Sequence, residues 1–464
     1  MNPTHVKTLP ILTWIVVSAT ASLLTADASR AAAEKPNILY ILADDLGYND
    51  VGFNGCTEIK TPNLDKLAHD GTILKSFYGQ PLCSTSRATL LTGRYPCHTG
   101  IYGVVGENKG SNFGLPLEER TLAQALKEAG YETAIVGKWH LGDANDNYLP
   151  THRGFDHQYG LHLGNIDYFT HIRLRNLDWW RDDKPCNDQG YSTTLLTKEA
   201  CRLIQEKDPN KPLFLYLAYN AVHFPFQAPE NYLKLYPNLK GNRQIYAGML
   251  AAMDEGIGQV LAALDAKGLR DNTIILFSSD NGGWGPCDNS PLRGFKGNMY
   301  EGGVRVCAFA DWPGYIPSQA TNNDVLHEVD WYPTLIKLAG GSLEQKLPLD
   351  GGDIWPVMTQ RAKSPHFDEV TLCGTDRGDL AIRMGDWKLI IWTDEKYKNK
   401  TPELYNLAED IGEKHDLAAT HPDKVKQLKA KYDEVMKDAA ACLTGVAPGT
   451  KILNHNKDKD EEIQ

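Results

Sequence analysis

The chain has 464 residues, of which 42% are hydrophobic and 23% are charged, as in an ordinary globular protein. These proportions exclude a wholly disordered chain, a collagen-like repeat and a small scaffold held together by disulfides. The formal net charge of −11 argues against a general binder of nucleic acids or anionic membranes, because both need a basic face. A local basic pocket for an anionic substrate is compatible with this charge.

Residues 1–33 have the pattern of a secretory signal peptide. A weakly basic start with Lys7 precedes an apolar core over residues 11–26, and small residues in A-x-A patterns follow it. An uncleaved membrane anchor is the alternative, but the apolar run is short for a span of about 20 residues. We therefore expect a secreted or periplasmic protein with no membrane contact after signal cleavage.

The nine cysteines have to be interpreted in the light of export. No C-x-x-C pair occurs, which argues against a zinc ribbon. Some of them can pair in an oxidising compartment, and buried free thiols are an equal alternative. The sequence does not define a connectivity.

Short apolar runs alternate with helical patterns before residue 355. Five of the runs are typical of strands buried on both faces, and they lie at 37–43, 132–136, 213–218, 273–278 and 304–308. Capping residues and apolar spacing predict helices at 61–71, 121–129 and 246–264. This alternation predicts an α/β sandwich with a mostly parallel central sheet flanked by helices.

The pattern changes near residue 355. Short runs at 370–373, 380–383, 387–392 and 403–406 predict antiparallel strands, and a helix is predicted to begin near residue 422. We therefore predict a large domain over residues 34–355 and a C-terminal subdomain over 356–453, with a small antiparallel sheet and a packed helix. The charged tail over 454–464 is expected to be mobile.

Two polar clusters follow predicted strands of the large sheet. Asp44 and Asp45 end the first strand, and Asp280 and Asn281 follow the strand at 273–278. Adjacent carboxylates that leave a buried strand need a cation, and oxygen ligands favour calcium or magnesium. Each pair alone is also typical of a solvated turn, so a metal site requires that the two strands be neighbours.

Two longer motifs carry most of the other candidates. One is C-S-T-S-R-A-T-L-L-T-G-R from Cys83 to Arg94, and the other is G-Y-E-T-A-I-V-G-K-W-H, which ends at His140. They closely resemble the two signatures of the type I sulfatases. Further segments, including A-V-H-F-P, S-D-N-G-G and E-L-Y-N-L, follow in the family's order from about residue 36 to residue 407. The whole is most similar to the arylsulfatase B group, whose typical member is an N-acetylgalactosamine-4-sulfatase.

The resemblance implies an alkaline phosphatase-like fold, with residues 34–355 as the catalytic domain. It implies hydrolysis of sulfate esters, on glycosaminoglycan or other sulfated carbohydrate fragments or on aryl sulfates. In the family, a maturation enzyme converts the motif cysteine to formylglycine (3-oxoalanine), which is a ligand of one calcium ion. The implied metal ligands are Asp44, Asp45, Cys83, Asp280 and Asn281. The implied catalytic residues are Cys83, Arg87, Lys138, His140, His223 and Lys296.

The resemblance also assigns roles to these residues. Arg87 is expected to steady the formylglycine, and Lys138 and His140 to contact its hydroxyl groups and the sulfate. His223 and Lys296 are expected near the leaving oxygen, with His223 as the acid and His140 as the base of the second step. Because Lys138 and His140 are two positions apart, an extended segment would point them to one face.

Thr85 departs from the family pattern, which usually has Pro or Ala two places after the cysteine. This departure is the only support for one alternative, a non-catalytic binder of sulfated glycans that keeps an unmodified Cys83. The other alternative is a phosphoesterase or phosphonate hydrolase of the related alkaline phosphatase-like superfamily, which shares the α/β core and the acidic ligands. The leaving-group pocket is expected to involve segments 141–188 and 312–330, unless the aromatic residues of the first segment simply pack within the loop. They include Tyr168, His171, Trp179 and Trp180.

Overall fold

The computed structural model describes Met1 and residues 35–106, 114–373, 380–392, 400–441 and 443. The predicted signal peptide after Met1 and the predicted tail therefore lie outside the described residues. From Pro36 onward the chain forms one compact unit; the domain boundary at residue 355 stays a prediction. Within the described residues, every helix is too short or too polar to cross a membrane.

The strands are numbered in chain order. They are β1 Asn37–Ala43, β2 Thr72–Tyr78, β3 Glu132–Gly137, β4 His157–Gly160, β5 Ile172–Arg173, β6 Asn176–Leu177, β7 Trp180–Arg181, β8 Lys184–Pro185, β9 Leu213–Ala218, β10 Thr273–Ser279, β11 Ala308–Asp311, β12 Ala320–His327, β13 Val370–Cys373, β14 Leu380–Met384, β15 Trp387–Ile391 and β16 Glu403–Asn406. The helices are α1 Pro62–Asp70, α2 Cys83–Thr92, α3 Pro96–Thr99, α4 Leu122–Glu128, α5 Ser192–Glu206, α6 Glu230–Leu233, α7 Gly241–Ala266, α8 Glu301–Val304, α9 Trp331–Leu338, α10 Trp355–Gln360 and α11 Pro422–Val435.

Ten strands form the central sheet in the order β12-β2-β11-β10-β1-β9-β3-β4-β7-β8. The five central strands from β10 to β4 are all parallel, and β1 lies between β10 and β9. Antiparallel pairs join β11 to both of its neighbours and β7 to both of its neighbours. This large, mostly parallel sheet with flanking helices confirms the predicted α/β class.

Helices cover both faces of the central sheet. Alternate residues of β1 belong to opposite cores, because successive side chains of a strand point to opposite faces. One core contains Leu39, Ile41 and Ala43 with residues of α1, α5 and α7. The other contains Ile38, Tyr40 and Leu42 with residues of α2, α4 and α9. The five central strands are parallel, so their carboxyl ends lie together at one edge of the sheet, between the two layers of helices.

The strand predicted at 304–308 is wrong. The chain forms the helical turn α8 up to Val304, and the strand begins only at Ala308. Val304, Val306 and Cys307 are all fully buried, so this apolar run has no alternation from which helix and strand could be distinguished. The edge strand β12 and its neighbour β2 were not predicted.

The C-terminal sheet is antiparallel in the order β13-β14-β15-β16, as predicted. Helix α11 packs on it through the buried Leu428, which lies with Ile382 and Leu389 in one apolar cluster. A second cluster joins this sheet to α8 and β2 and includes Tyr78, Val304 and Ile390. The small sheet is therefore packed against the central one.

A buried ionic network lies at the same junction. The Nζ of Lys388 is 2.9 Å from Glu301 Oε1 and 3.0 Å from Glu413 Oε1, and the Glu301 backbone N–H donates to Glu413 at 2.6 Å. Burial alone would raise the pKa of Glu301, but Lys388 and Arg305 lower it to about 2. Burial raises the pKa of Glu413 to about 7, against the opposing charge of Lys388.

Six of the described cysteines are outside disulfides, namely Cys56, Cys83, Cys186, Cys201, Cys287 and Cys307. For these six, the alternative of free thiols holds.

Candidate active site

The predicted site residues follow four neighbouring parallel strands. Asp44 comes directly after β1, Asp280 after β10 and Lys138 after β3, and His223 lies five positions beyond the end of β9. Because β10, β1, β9 and β3 are adjacent in the sheet, their carboxyl ends form one crevice, the usual ligand site of an open α/β sheet. The two acidic clusters therefore meet, as the metal hypothesis requires.

Cys83 is the first residue of helix α2, and its side chain enters this crevice. Its Sγ lies 3.3 Å from Asp44 Oδ1 and 3.1 Å from the Nζ of Lys296. The residue is only 1% exposed. Burial, together with the charges of Asp280 and Asp44, raises the pKa of the thiol well above its usual value. An unmodified Cys83 is therefore a poor nucleophile in this pocket.

Arg87 lies one helical turn after Cys83 and connects three strands. Its Nη2 is 3.0 Å from Asp280 Oδ2 and 3.6 Å from Asp44 Oδ2, and its Nη1 donates to the Lys138 carbonyl at 2.7 Å. All of these side chains are fully buried. The guanidinium thus neutralises and positions two of the carboxylates at once.

The other two cations each pair with one carboxylate. Lys138 donates to Asp44 at 2.6 Å, and Lys296 lies 2.7 Å from Asp45. Burial alone would raise the pKa of Asp44, but Lys138, His223 and Arg87 lower it to about 2. Burial and the charge of Asp44 raise the pKa of Asp280. Three carboxylates and three cations therefore share one pocket, in which none of these side chains is more than 16% exposed.

The oxygen atoms in this pocket fit a hard divalent cation. Ligand atoms of Asp44, Asp45, Cys83 and His223 all lie within 4.8 Å of one another. Asn281 donates through Nδ2 to Asp45 at 2.7 Å, while its buried Oδ1 has no hydrogen-bond partner among the described residues. Buried polar atoms normally have partners, and carboxylate and amide oxygens are the ligands that calcium prefers. His223 was not predicted as part of the metal group.

His140 borders the pocket without a hydrogen bond to its ring. Both ring nitrogens are buried and have no partner among the described residues. Burial and the charges of Lys138 and Arg87 lower the pKa of His140 well below its usual value, so the ring is neutral and a weak base. The extended segment expected here ends at Gly137, and His140 has a φ of 58°. Simple strand alternation therefore does not place Lys138 and His140 together.

His223 has one ring nitrogen committed to the backbone. Its Nδ1 donates to the Phe224 carbonyl at 2.6 Å, and its Nε2 lies 3.5 Å from Asp45 Oδ2. Burial and the charge of Lys296 lower its pKa, against the attraction of Asp45. Because Nδ1 holds a proton, His223 can release a proton from Nε2 only as the imidazolium.

Two residues that sequence reasoning did not single out also contribute. Ser86 accepts a hydrogen bond from the Gln80 N–H at 2.9 Å and donates to the Asp280 carbonyl; it holds the start of α2 against β10. Its signal was present, because Ser86 belongs to the cysteine motif. No motif or periodic pattern in the sequence indicated the second residue, Arg173. A Cβ on Gly164 would lie 2.9 Å from both Arg173 Nη1 and His140 Nε2, so Arg173 borders the His140 side of the pocket.

The aromatic residues expected around the leaving group are mostly packed inside. Tyr168, His171 and Trp179 are at most 1% exposed, and His171 stacks on Trp179 with ring centroids 4.3 Å apart. For these three residues the packing alternative is correct.

Comparison with known proteins identifies the family. The protein-family model described as "Sulfatase" matches residues 36–342. The chain belongs to the sulfatase family. A second model, "N-sulphoglucosamine sulphohydrolase, C-terminal", matches residues 295–440 of this sulfatase. The family assigns it the activity of a sulfuric ester hydrolase and favours sulfate over phosphate esters as its substrates.

Individual relatives agree with this assignment. The sulfatase is 37% identical to Arylsulfatase J of Mus musculus, over 89% of this chain and 78% of the relative. It is 33% identical to Arylsulfatase A of Homo sapiens, over 88% and 89% of the two chains. A solved structure titled "Crystal structure of Ps i-CgsB in complex with k-i-k-neocarrahexaose" superposes with a TM-score of 0.83 at 35% identity, covering 88% of this chain and 94% of that one. The predicted arylsulfatase-like character is thus supported.

Proposed function

We propose that the protein hydrolyses sulfate esters of sulfated carbohydrates, with a formylglycine made from Cys83 and one calcium ion. The observation that carries the proposal is the position of Cys83, whose Sγ lies between the Asp44 carboxylate and the Lys296 ammonium group. The similarity to the structure solved with a neocarrahexaose supports a carbohydrate substrate.

Two groups that the family carries in this pocket, formylglycine and calcium, would supply the chemistry. Formylglycine supplies a hydrated aldehyde with two hydroxyl groups on one carbon, so that one can take the sulfuryl group and the other allows its release. Calcium supplies Lewis acidity. The candidate calcium ligands from this chain are the side chain of residue 83 and the oxygen atoms of Asp44, Asp45, Asp280 and Asn281.

The remaining residues are proposed to neutralise charge and to transfer protons. Arg87, Lys138 and Lys296 oppose the negative charge that develops on the sulfuryl oxygens, and do so most strongly in a pocket without water. We assign His223 Nε2 as the donor to the leaving oxygen; because burial and Lys296 lower the pKa of this ring, the step requires the negative charge of the bound sulfate to stabilise the imidazolium. His140, with a neutral ring, accepts the proton released in the second step.

The signal-like segment 1–33 supports export, and we place the mature protein outside the cytoplasm, secreted or periplasmic. A formylglycine-generating enzyme is the partner that this proposal requires. Thr85 lies in the segment that this enzyme reads.

The proposal is tested on protein purified from its natural host. The mass of the tryptic peptide over residues 76–87 distinguishes an aldehyde from a thiol at position 83. With the aldehyde, we expect hydrolysis of 4-nitrophenyl sulfate in preference to 4-nitrophenyl phosphate, then of sulfated polysaccharides, and no turnover by Cys83→Ala. A thiol in every molecule would reject the catalytic proposal and leave the glycan binder in its place.

Calcium binding has its own test in thermal unfolding. Calcium added after chelation is expected to raise the Tm of the wild-type protein, because a ligand that binds only the folded state stabilises it. Asp45→Asn should lose most of this shift, since a full carboxylate charge is removed from the ligand set. An equal calcium shift in both proteins would contradict the assignment of Asp45.

A further inference from the structure

An aromatic surface lies on one side of the proposed active site. Trp284 is 41% exposed and Phe295 is 51% exposed, and both line the same cavity of about 380 Å³. Phe295 directly precedes Lys296, which contacts Cys83 Sγ. Single exposed aromatic residues are common on proteins, but a pair that shares a cavity beside a reactive group marks a binding surface.

Trp284 is supported from behind and open in front. Its ring stacks on Phe226 with centroids 6.4 Å apart and an interplanar angle of 17°, and the edge contact to Phe224 is at the same distance. Phe224 in turn follows His223, which lies 3.5 Å from Asp45. One face of the indole is therefore packed, and the ring is connected through adjacent residues to both sides of the pocket.

The loop that carries these rings is held by one buried amide. Asn289 accepts a hydrogen bond from the Gly283 N–H at 3.0 Å and donates to the carbonyls of Gly283 and Gly294 at 3.0 and 3.3 Å. The loop begins right after Asp280 and Asn281, and the Lys296 N–H donates back to Gly283 at 3.3 Å. The rings are thus presented by a preorganised segment, which lowers the entropic cost of binding.

We propose that Trp284 and Phe295 form a stacking platform for a second sugar ring, linked to the ring whose sulfate is removed. The aromatic faces match the apolar C–H face of a pyranose, and the Ser290 hydroxyl in the same cavity offers a hydrogen bond to the sugar hydroxyl groups. This proposal rests on the proposed function and deepens it. The substrate class becomes a sulfated oligosaccharide or polysaccharide of at least two rings, rather than a monosaccharide or an aryl sulfate.

The matched control is Tyr315. It is 39% exposed and stacks on Trp312 with centroids 4.0 Å apart, but it lines a different cavity with Asp70 and Arg270. Removing it changes a similar aromatic surface that shares no residue with the platform.

Binding is measured first, by calorimetry on Cys83→Ala protein, so that no turnover is needed. The probes are κ-ι-κ-neocarrahexaose and a chondroitin sulfate hexasaccharide. For each probe that binds, the double variant Cys83→Ala/Trp284→Ala should bind it about 10-fold more weakly than Cys83→Ala alone, as expected for a lost stacking contact. Trp284→Phe should restore part of the affinity, and Tyr315→Ala should change nothing. Binding of neither probe, or equal affinity with and without Trp284, would overturn the proposal.

Kinetics on the formylglycine-bearing enzyme separate this proposal from the one on which it rests. The ratio of kcat/KM for the bound hexasaccharide to kcat/KM for 4-nitrophenyl sulfate should fall about 10-fold in Trp284→Ala and stay constant in Tyr315→Ala. An unchanged ratio would overturn the platform alone. Failure of the formylglycine-bearing wild-type protein to hydrolyse 4-nitrophenyl sulfate and both hexasaccharides would instead reject the proposed function.

Discussion

At the scale of single residues, each buried charge in the pocket needs an oppositely charged partner, because it is removed from water. Arg87 faces Asp280 and Asp44 with no exposed surface on any of the three. Arg87→Met should lower the free energy of unfolding by about 3–5 kcal/mol, because both carboxylates lose a partner while they remain buried. Urea denaturation followed by circular dichroism measures this loss.

The control for Arg87 is a cation at the surface. Lys234 pairs with Glu230, and their side chains are 70% and 80% exposed, so Lys234→Met should cost about 1 kcal/mol or less. If Arg87→Met were as stable as Lys234→Met, the carboxylates of the pocket would not need the guanidinium.

The sequence predicted which residues would carry charge in the pocket, but not how they would pair. Asp44 and Asp280 could be proposed as neighbours because each follows a predicted parallel strand. The contact of Lys296 with Asp45 spans 251 positions and comes from a loop, for which no periodicity exists. Arg173 was missed for the same reason, since it lies in a short hairpin and no motif includes it.

At the scale of elements, helix α2 begins at Cys83, the residue proposed to become formylglycine. Thr85 in its first turn donates to the Leu82 carbonyl at 2.5 Å and accepts from the Leu82 N–H at 3.2 Å. Thr85→Ala should therefore lower the free energy of unfolding by about 1 kcal/mol, as for other capping hydroxyls. Urea denaturation checks this value, and Thr85→Ser, which keeps the hydroxyl, should match the wild type. Equal stability of the alanine and serine variants would show that these hydrogen bonds contribute nothing.

The central strands were predictable and the edge strands were not. Strands β1, β9 and β10 are uninterrupted apolar runs, which is what burial on both faces requires. Strand β12 contains Asn322, Asn323 and Asp324 and is largely exposed along its first half, so neither composition nor alternation marks it. The turn at α8 was missed because it is stabilised by Glu301 contacts with residues far along the chain.

For the molecule as a whole, Glu413 links stability to pH at the junction of the two sheets. Its pKa is about 7 in the folded protein against an ordinary value of 4.5, so the folded state binds more protons between these pH values. This contribution to stability is complete below about pH 4.5 and is lost as pH rises through 7. Glu413→Gln cannot titrate, and relative to the wild type it should gain about 2–3 kcal/mol between pH 5 and pH 7.5.

Chemical denaturation at a series of pH values measures this difference. The exposed Glu409→Gln serves as control and should follow the wild type throughout. A constant difference between Glu413→Gln and the wild type across this range would contradict the raised pKa. The amide at position 413 can still accept the hydrogen bond from the Glu301 backbone but loses the ion pair with Lys388. The constant part of the difference therefore reports that contact, and only its change with pH reports the proton.

The burial of Cys83 in the folded protein also limits the time in which its side chain is accessible during synthesis. Among the residues named above that contact Cys83, Lys296 lies furthest along the chain, 213 positions after Cys83. At about 5–20 residues per second, a ribosome needs about 10–40 s to add that length. The enzyme proposed to modify residue 83, if it acts on the nascent chain, therefore has at least an interval of that order before Lys296 has been added. Slower translation between these two positions lengthens the interval, and faster translation shortens it.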